Sequence, residues 1–287
     1  MAPFLYAEPL CFTPIAATSS QVLSMTAFID TMNSAPPELI GLLMLVLSYG
    51  GVLVLMRLFG IYGLITFIIV ALLGANFQVL KVVQFSMLSH PVALGTILFS
   101  TTYTAIDIIN DRYGPKMARK VIWIGFAAMV AHNAFMITTL SYAPIDAVPG
   151  DAENAFYLET ENALRHIMLP QVGLLAAGLL SYLASEHLDV TLFSWLKGTT
   201  GGKKLWLRNV GSSLIAALFD NVVFSILAWK LFTANPVSWE ALIFTYILGT
   251  FYIRMLISVL DIPLVYLARK IPLADAPGTA AKEEASA

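Results

Sequence analysis

Long apolar blocks alternate with short clusters of charge, glycine and proline, and the block lengths predict the elements. Seven segments stand out, at about 39–59, 61–83, 92–110, 119–142, 165–196, 207–232 and 239–268. At 1.5 Å per residue, roughly 20 residues cross a hydrocarbon core of about 30 Å, so each block predicts a spanning helix. The last three are long, which predicts tilt or an extension past the bilayer. Pro170 sits near the start of the fifth, where its missing N–H is tolerated. Tyr113-Gly114-Pro115 ends the third. Segments two to four and five to seven run with opposite topology, as inverted three-helix repeats do. Their sequence echo is faint, Ala105-Ile106-Asp107-Ile108 against His187-Leu188-Asp189-Val190. The predicted fold is all-α: a polytopic helical membrane protein of about seven transmembrane helices.

Composition agrees. The chain is 58% hydrophobic and 12% charged, with a mean hydropathy of +0.79. Soluble domains are about 45–50% apolar and about 25% charged, so a water-soluble globule is excluded. The net charge of −2, with no basic patch interleaved with aromatics, gives no basis for a nucleic-acid partner. A single cysteine, Cys11, rules out an internal disulfide and a cysteine-cluster metal site. No histidine spacing makes a metal site either, and no cofactor is expected. Residues 1–35 carry Pro3, Pro9 and Pro14 but no basic residue to open a secretory signal. They predict a peripheral or partly disordered lead-in with a short helix at Gln21–Thr31. Pro36 and Pro37 then open a transmembrane domain over 36–270, and 271–287 reads as a disordered tail.

Charge sets the orientation. Arg57, the group Arg112, Lys116, Arg119 and Lys120, the group Lys197, Lys203, Lys204 and Arg208, and Arg269 with Lys270 all follow odd-numbered segments. With Lys282 in the tail, twelve of the 16 Lys and Arg residues fall on that one side. The loop at 143–162 carries Asp146, Asp151, Glu153, Glu159 and Glu161 and no basic residue. By the positive-inside rule the N-terminus is outside and the C-terminus cytoplasmic.

Polar residues inside the blocks are the candidate chemistry, because a charge at mid-membrane costs roughly 2.5–3.5 kcal/mol. Asp107, Asn110 and Asp111 share one helical face. Asp111 also reads as a helix-end group paired with Arg112 or Lys116. Asn76, Gln78 and Lys81 close the second block, where Lys81 can snorkel. Residues 185–221 hold Ser185, Glu186, Asp189, Arg208, Asn209, Ser212, Ser213 and Asp220, which predicts two helices lining a polar cavity for a small hydrogen-bonding solute. Arg254 and Asp261 lie in the seventh block, and an Asp220–Arg254 pair is the structural alternative for two of these charges. The turn GTTGGKK at 198–204 fails the phosphate-loop spacing, so ATP hydrolysis is excluded.

The runs IDIINDRYGPKMARK (106–120), SEHLDVTLFSWLK (185–197), LWLRNVGSS (205–213), Asp220 and LISVLDIPLVYLA (256–268) resemble the motifs of the queuosine-precursor transporters, formerly catalogued as vitamin uptake transporters. The likeness runs from about Gly60 to Arg269. The family's third-span Asp falls on Asp107 and its Tyr-Gly pair on Tyr113 and Gly114. Its Ser-Gln-x-x-Asp-Val pattern falls on Ser185, Glu186, Asp189 and Val190, with Glu in place of Gln. The Trp-x-Arg-Asn run falls on Trp206, Arg208 and Asn209, the Ser-Thr pair on Ser212 and Ser213, and the sixth-span Asp on Asp220. Ala216-Ala217 stand where a Gln often precedes that Asp.

The resemblance implies a multi-pass protein of the cell inner (cytoplasmic) membrane that takes up 7-cyano- or 7-aminomethyl-7-deazaguanine for tRNA modification. A deazaguanine presents N–H donors on one edge and a planar face, which oxygen acceptors and aromatic rings complement. Asn76, Asp107, Glu186, Asp189, Asn209, Ser212 and Asp220 are the expected substrate-binding residues. Phe77, Tyr103, Phe193, Trp206 and Phe219 are the stacking candidates. The expected partners are the 7-deazaguanine and the bilayer, with a homodimer allowed for. The rival reading is a substrate-binding membrane subunit of a vitamin or purine uptake system, which needs a separate energising partner. An enzyme lacks support, since no nucleophile–base pair and no metal cluster is in view.

Overall fold

Gly60 decides how the first two blocks are arranged. The computed structural model describes residues 19–272 apart from 87, 89, 90 and 234. After a helix at Ser19–Asn33 (α1), close to the one predicted, Pro37–Gln78 (α2) folds back on itself at Gly60, which takes φ 58° and ψ −131°. That region is open to glycine and strained for other residues. The arms pack at backbone contact: a Cβ on Gly63 would lie 2.0 Å from the Leu55 carbonyl oxygen. Small residues permit such approach between helices in lipid.

Beyond α2 the apolar pattern misled at one point. Val82–Val83 and Val92–Ala93 form a short antiparallel ribbon, Val82 opposite Ala93, where the second and third blocks predicted helix. Gly95–Tyr113 (α3) follows, and Gly114 at φ 85° separates it from Pro115–Leu140 (α4). Ala152–Thr199 (α5) begins earlier than 165, because Asp151 Oδ1 accepts from the Glu153 and Asn154 amides at 3.0 and 3.2 Å and caps it. Pro170 therefore lies within a helix rather than near its start. Leu205–Leu231 (α6) ends in a π-helical turn at Leu227–Leu231. Trp239–Lys270 (α7) contains a π-helical stretch at Leu242–Gly249.

Five of these helices are long and apolar enough to cross a membrane, α2 by way of two arms. Leu47, Tyr62, Val70 and Phe135 are exposed on outer faces, as lipid contact requires. The protein is a polytopic helical membrane protein. At its centre is α3, whose residues 100–110 are all buried. Its hydroxyl and small residues, from Ser100 to Ala105, let other helices close around it. An apolar cluster including Leu64 and Ile68 of α2, Ile106 of α3, Ile122 of α4 and Phe193 of α5 fills the interior toward one end. Most of the basic residues gather at that end, where the α2 turn, the α3–α4 turn, the α5–α6 turn and the end of α7 lie. The ribbon and the acidic segment before α5 lie at the other. The expectations for the proline-rich start, Cys11 and the tail beyond 272 fall outside the described residues.

Candidate functional site

Near the midpoints of α6 and α7, Asp220 and Arg254 are both buried. Arg254 Nη1 donates to Asp220 Oδ2, and to Asn221 Oδ1 at 2.8 Å. Asp220 Oδ1 accepts from Ser181 and, at 3.3 Å, from Ser185 on α5. Ser185 and the Tyr103 hydroxyl of α3 share a further bond of 2.7 Å. The guanidinium also sits 4.9 Å from the Tyr103 ring centroid and 5.3 Å from that of Phe99. Each contact lowers the cost of holding charge out of water, by pairing and by cation–π attraction. The ion pair anticipated from the sequence is present.

This pair floors a cavity of about 120 Å³ that extends toward the acidic end of the bundle. Its walls include Asn76, Phe99, Tyr182, Trp229 and Tyr246. Trp229 and Tyr246 stand on the two π-helical stretches, ring centroids 4.7 Å apart and planes 33° apart. Stretches of this kind recur at functional sites. A polar floor, aromatic walls and a mid-bundle position suit a small planar solute. On the other face of Arg254 a much smaller void, about 10 Å³, touches Ser213 and Asp261. Arg254 is therefore the partition between the two spaces.

Below the partition is a second polar layer. Glu186 Oε1 accepts from Thr102 at 3.4 Å, Asp107 Oδ2 from Ser213 at 3.5 Å, and Asp261 Oδ2 from Thr104 at 2.5 Å. Asp189 faces Asp107, Ser212 and Ser213. Asn209 is buried, and neither amide atom finds a partner among the described residues. Among the described residues no group of three or more His, Cys, Asp or Glu is placed to hold a metal ion.

At the basic end a third cluster ties the helices together. Asp111 Oδ1 accepts from Arg208 at 2.5 Å and Oδ2 from Arg269 at 2.7 Å, with Lys197 Nζ 3.3 Å away. Arg112 donates to the Arg269 and Ile271 carbonyls at 2.7 and 2.6 Å. Asp111 thus pairs across helices, and not with Arg112 or Lys116 as its local sequence suggested.

A family model described as "putative vitamin uptake transporter" matches residues 93–268. The "probable queuosine precursor transporter" of Bacillus subtilis (strain 168) is 31% identical over 223 residues, 77% of this chain and 89% of that relative. The chain belongs to the vitamin uptake transporter family. No solved structure matches it.

In this family member the residues singled out by sequence fall into two groups. Asn76 and Asp220 line the large cavity. Asp107, Glu186, Asp189, Asn209 and Ser212 come together in the buried layer beneath it. The stacking candidates lie elsewhere: Trp206 and Phe219 are exposed, Phe193 packs under Arg208 with its centroid 5.1 Å from the guanidinium, and Phe77 meets His132 edge-on. Tyr103 contacts Arg254 from below the cavity. Sequence reasoning passed over Phe99, Tyr182, Asn221, Trp229 and Tyr246. Trp229 and Tyr246 lie near helix ends, where aromatics read as interface-belt residues. Asn221 follows Asp220 and could have been flagged with it.

Proposed function

We propose that this vitamin uptake transporter family member carries queuosine precursors of the 7-deazaguanine class inward across the cytoplasmic membrane, N-terminus outside and C-terminus cytoplasmic, without altering them. The observation that supports this most is the aromatic-walled cavity floored by Asp220 and Arg254 at mid-bundle. The printed name of the Bacillus subtilis relative supports the solute class. In this reading the base enters between Trp229, Tyr246 and Phe99 and rests above the Asp220–Arg254 pair, with Asn76 at its rim. Asp107, Glu186, Asp189, Asn209 and Ser212 are the polar contacts it meets next, on the cytoplasmic side of Arg254.

The test is a thermal-shift and uptake series on the purified, reconstituted protein with 7-cyano-7-deazaguanine, 7-aminomethyl-7-deazaguanine, guanine, adenine and uracil. A ligand at 100 times its dissociation constant adds about 2.7 kcal/mol to stability. We expect a clear rise in Tm with at least one deazaguanine, together with its accumulation unchanged inside the vesicles. Absence of binding by every deazaguanine would overturn the assignment.

A further inference from the structure

Two buried nitrogens on the cavity wall have unused hydrogen-bonding capacity of the same sign. Asp220 is engaged, with Oδ1 accepting from Ser181 and Ser185 and Oδ2 from Arg254. Asn221 is engaged as well: its amide nitrogen donates to the Ile247 carbonyl at 3.2 Å and to Thr250 Oγ1 at 2.9 Å, and its oxygen accepts from Arg254. Arg254 Nη2 and Trp229 Nε1 are buried and have no acceptor among the described residues. Both groups can only donate. The Ser225 and Tyr182 hydroxyls, buried on the same wall, are unbonded among the described residues and can donate or accept. Buried polar groups nearly always find partners, so this wall is complemented by acceptor atoms.

Charge points the same way. Among the described residues the wall carries one carboxylate, Asp220, already in contact with Arg254. A cationic solute would meet a guanidinium and no free carboxylate. Like charges close together in a medium of low dielectric repel strongly.

We propose that the cavity recognises the acceptor side of its solute, a carbonyl oxygen, ring nitrogen or nitrile, through Arg254 Nη2 and Trp229 Nε1, and selects a neutral heterocycle over one bearing a protonated amine. The inference rests on the reading that the cavity holds the transported base. It assigns Arg254 and Trp229 as specificity determinants, and it makes Asp220 the residue that holds Arg254 in place.

Two ligands that share one ring separate the possibilities: 7-cyano-7-deazaguanine, neutral, and 7-aminomethyl-7-deazaguanine, whose primary amine is protonated at pH 7. Their affinities are measured by calorimetry for the full-length protein and for Trp229→Phe, which keeps an aromatic ring beside Tyr246 and deletes the N–H. We expect the nitrile to bind the unaltered protein about tenfold more tightly or better. Trp229→Phe should lower nitrile affinity about five- to tenfold, as loss of one neutral hydrogen bond does, with the Tm of the ligand-free protein unchanged. Unaltered nitrile affinity, or a loss that comes with a lower ligand-free Tm, would remove Trp229 as a determinant. Equal or tighter binding of the amine overturns the charge selection while leaving the deazaguanine assignment standing. Binding of neither overturns both.

Discussion

At the scale of single residues, the Asp220–Arg254 pair carries the clearest energetic consequence. Removing one partner from a buried pair leaves an uncompensated charge, at a cost of about 3–5 kcal/mol. Asp220→Ala is therefore expected to lower the Tm of the ligand-free protein sharply, measured by scanning fluorimetry in detergent. Asp220→Asn, which keeps an oxygen toward Arg254, should be milder. Glu186 is of a different kind, since it is buried beneath the partition with Thr102 as its partner. Glu186→Ala should leave equilibrium affinity for the base nearly unchanged while uptake falls about tenfold, and Glu186→Gln, still an acceptor, should retain most of the uptake. A parallel loss of affinity would place Glu186 on the cavity instead. The pair was legible in the sequence, because two opposite charges at similar depth on neighbouring spans have few other partners. The unspent donors were not. Which atoms stay unbonded depends on side chains from four helices arriving together, and no local pattern encodes that.

At the scale of elements, hydropathy located every long helix to within a few residues, apart from the early start of α5. It failed where valines pair as a ribbon, because Val82–Val83 is as apolar as a helix end and β-branched besides. The π-helical stretches that carry Trp229 and Tyr246 left no mark on the apolar pattern. Close packing gives a direct test. A Cβ at Gly95 would lie 2.6 Å from the Ala75 carbonyl oxygen, a backbone atom that cannot swing away. Gly95→Ala should destabilise by about 1–3 kcal/mol, read as a lower Tm, by forcing the start of α3 off the second arm of α2.

At the scale of the whole molecule, the basic and acidic ends of the bundle predict its direction in the membrane. Gly150 and Gly201 have φ values of 86° and 56°, so neither suits a labelling cysteine. Ala147 and Thr199 are exposed neighbours at opposite ends. With Cys11 replaced, Ala147→Cys is expected to react with an impermeant thiol reagent on intact cells, and Thr199→Cys only after lysis. The reverse pattern would invert the orientation and the direction of every path through the protein. Charge asymmetry made this much legible. The central position of α3 was hidden, since its hydroxyl residues resemble a weak span until five other helices are seen around it.

The hairpin in α2 has a consequence for how the protein is made. Its two arms meet at Gly60 with no intervening loop, and Gly63 touches the Leu55 backbone from the other arm. The emerging chain therefore offers the insertion machinery one re-entrant unit, which must go in and come back before α3 has been synthesised. A reporter domain spliced at Gly60 has no slack to occupy and should abolish membrane integration. The same domain spliced into 143–149, where the chain is exposed and not helical, should be carried without loss of the folded bundle.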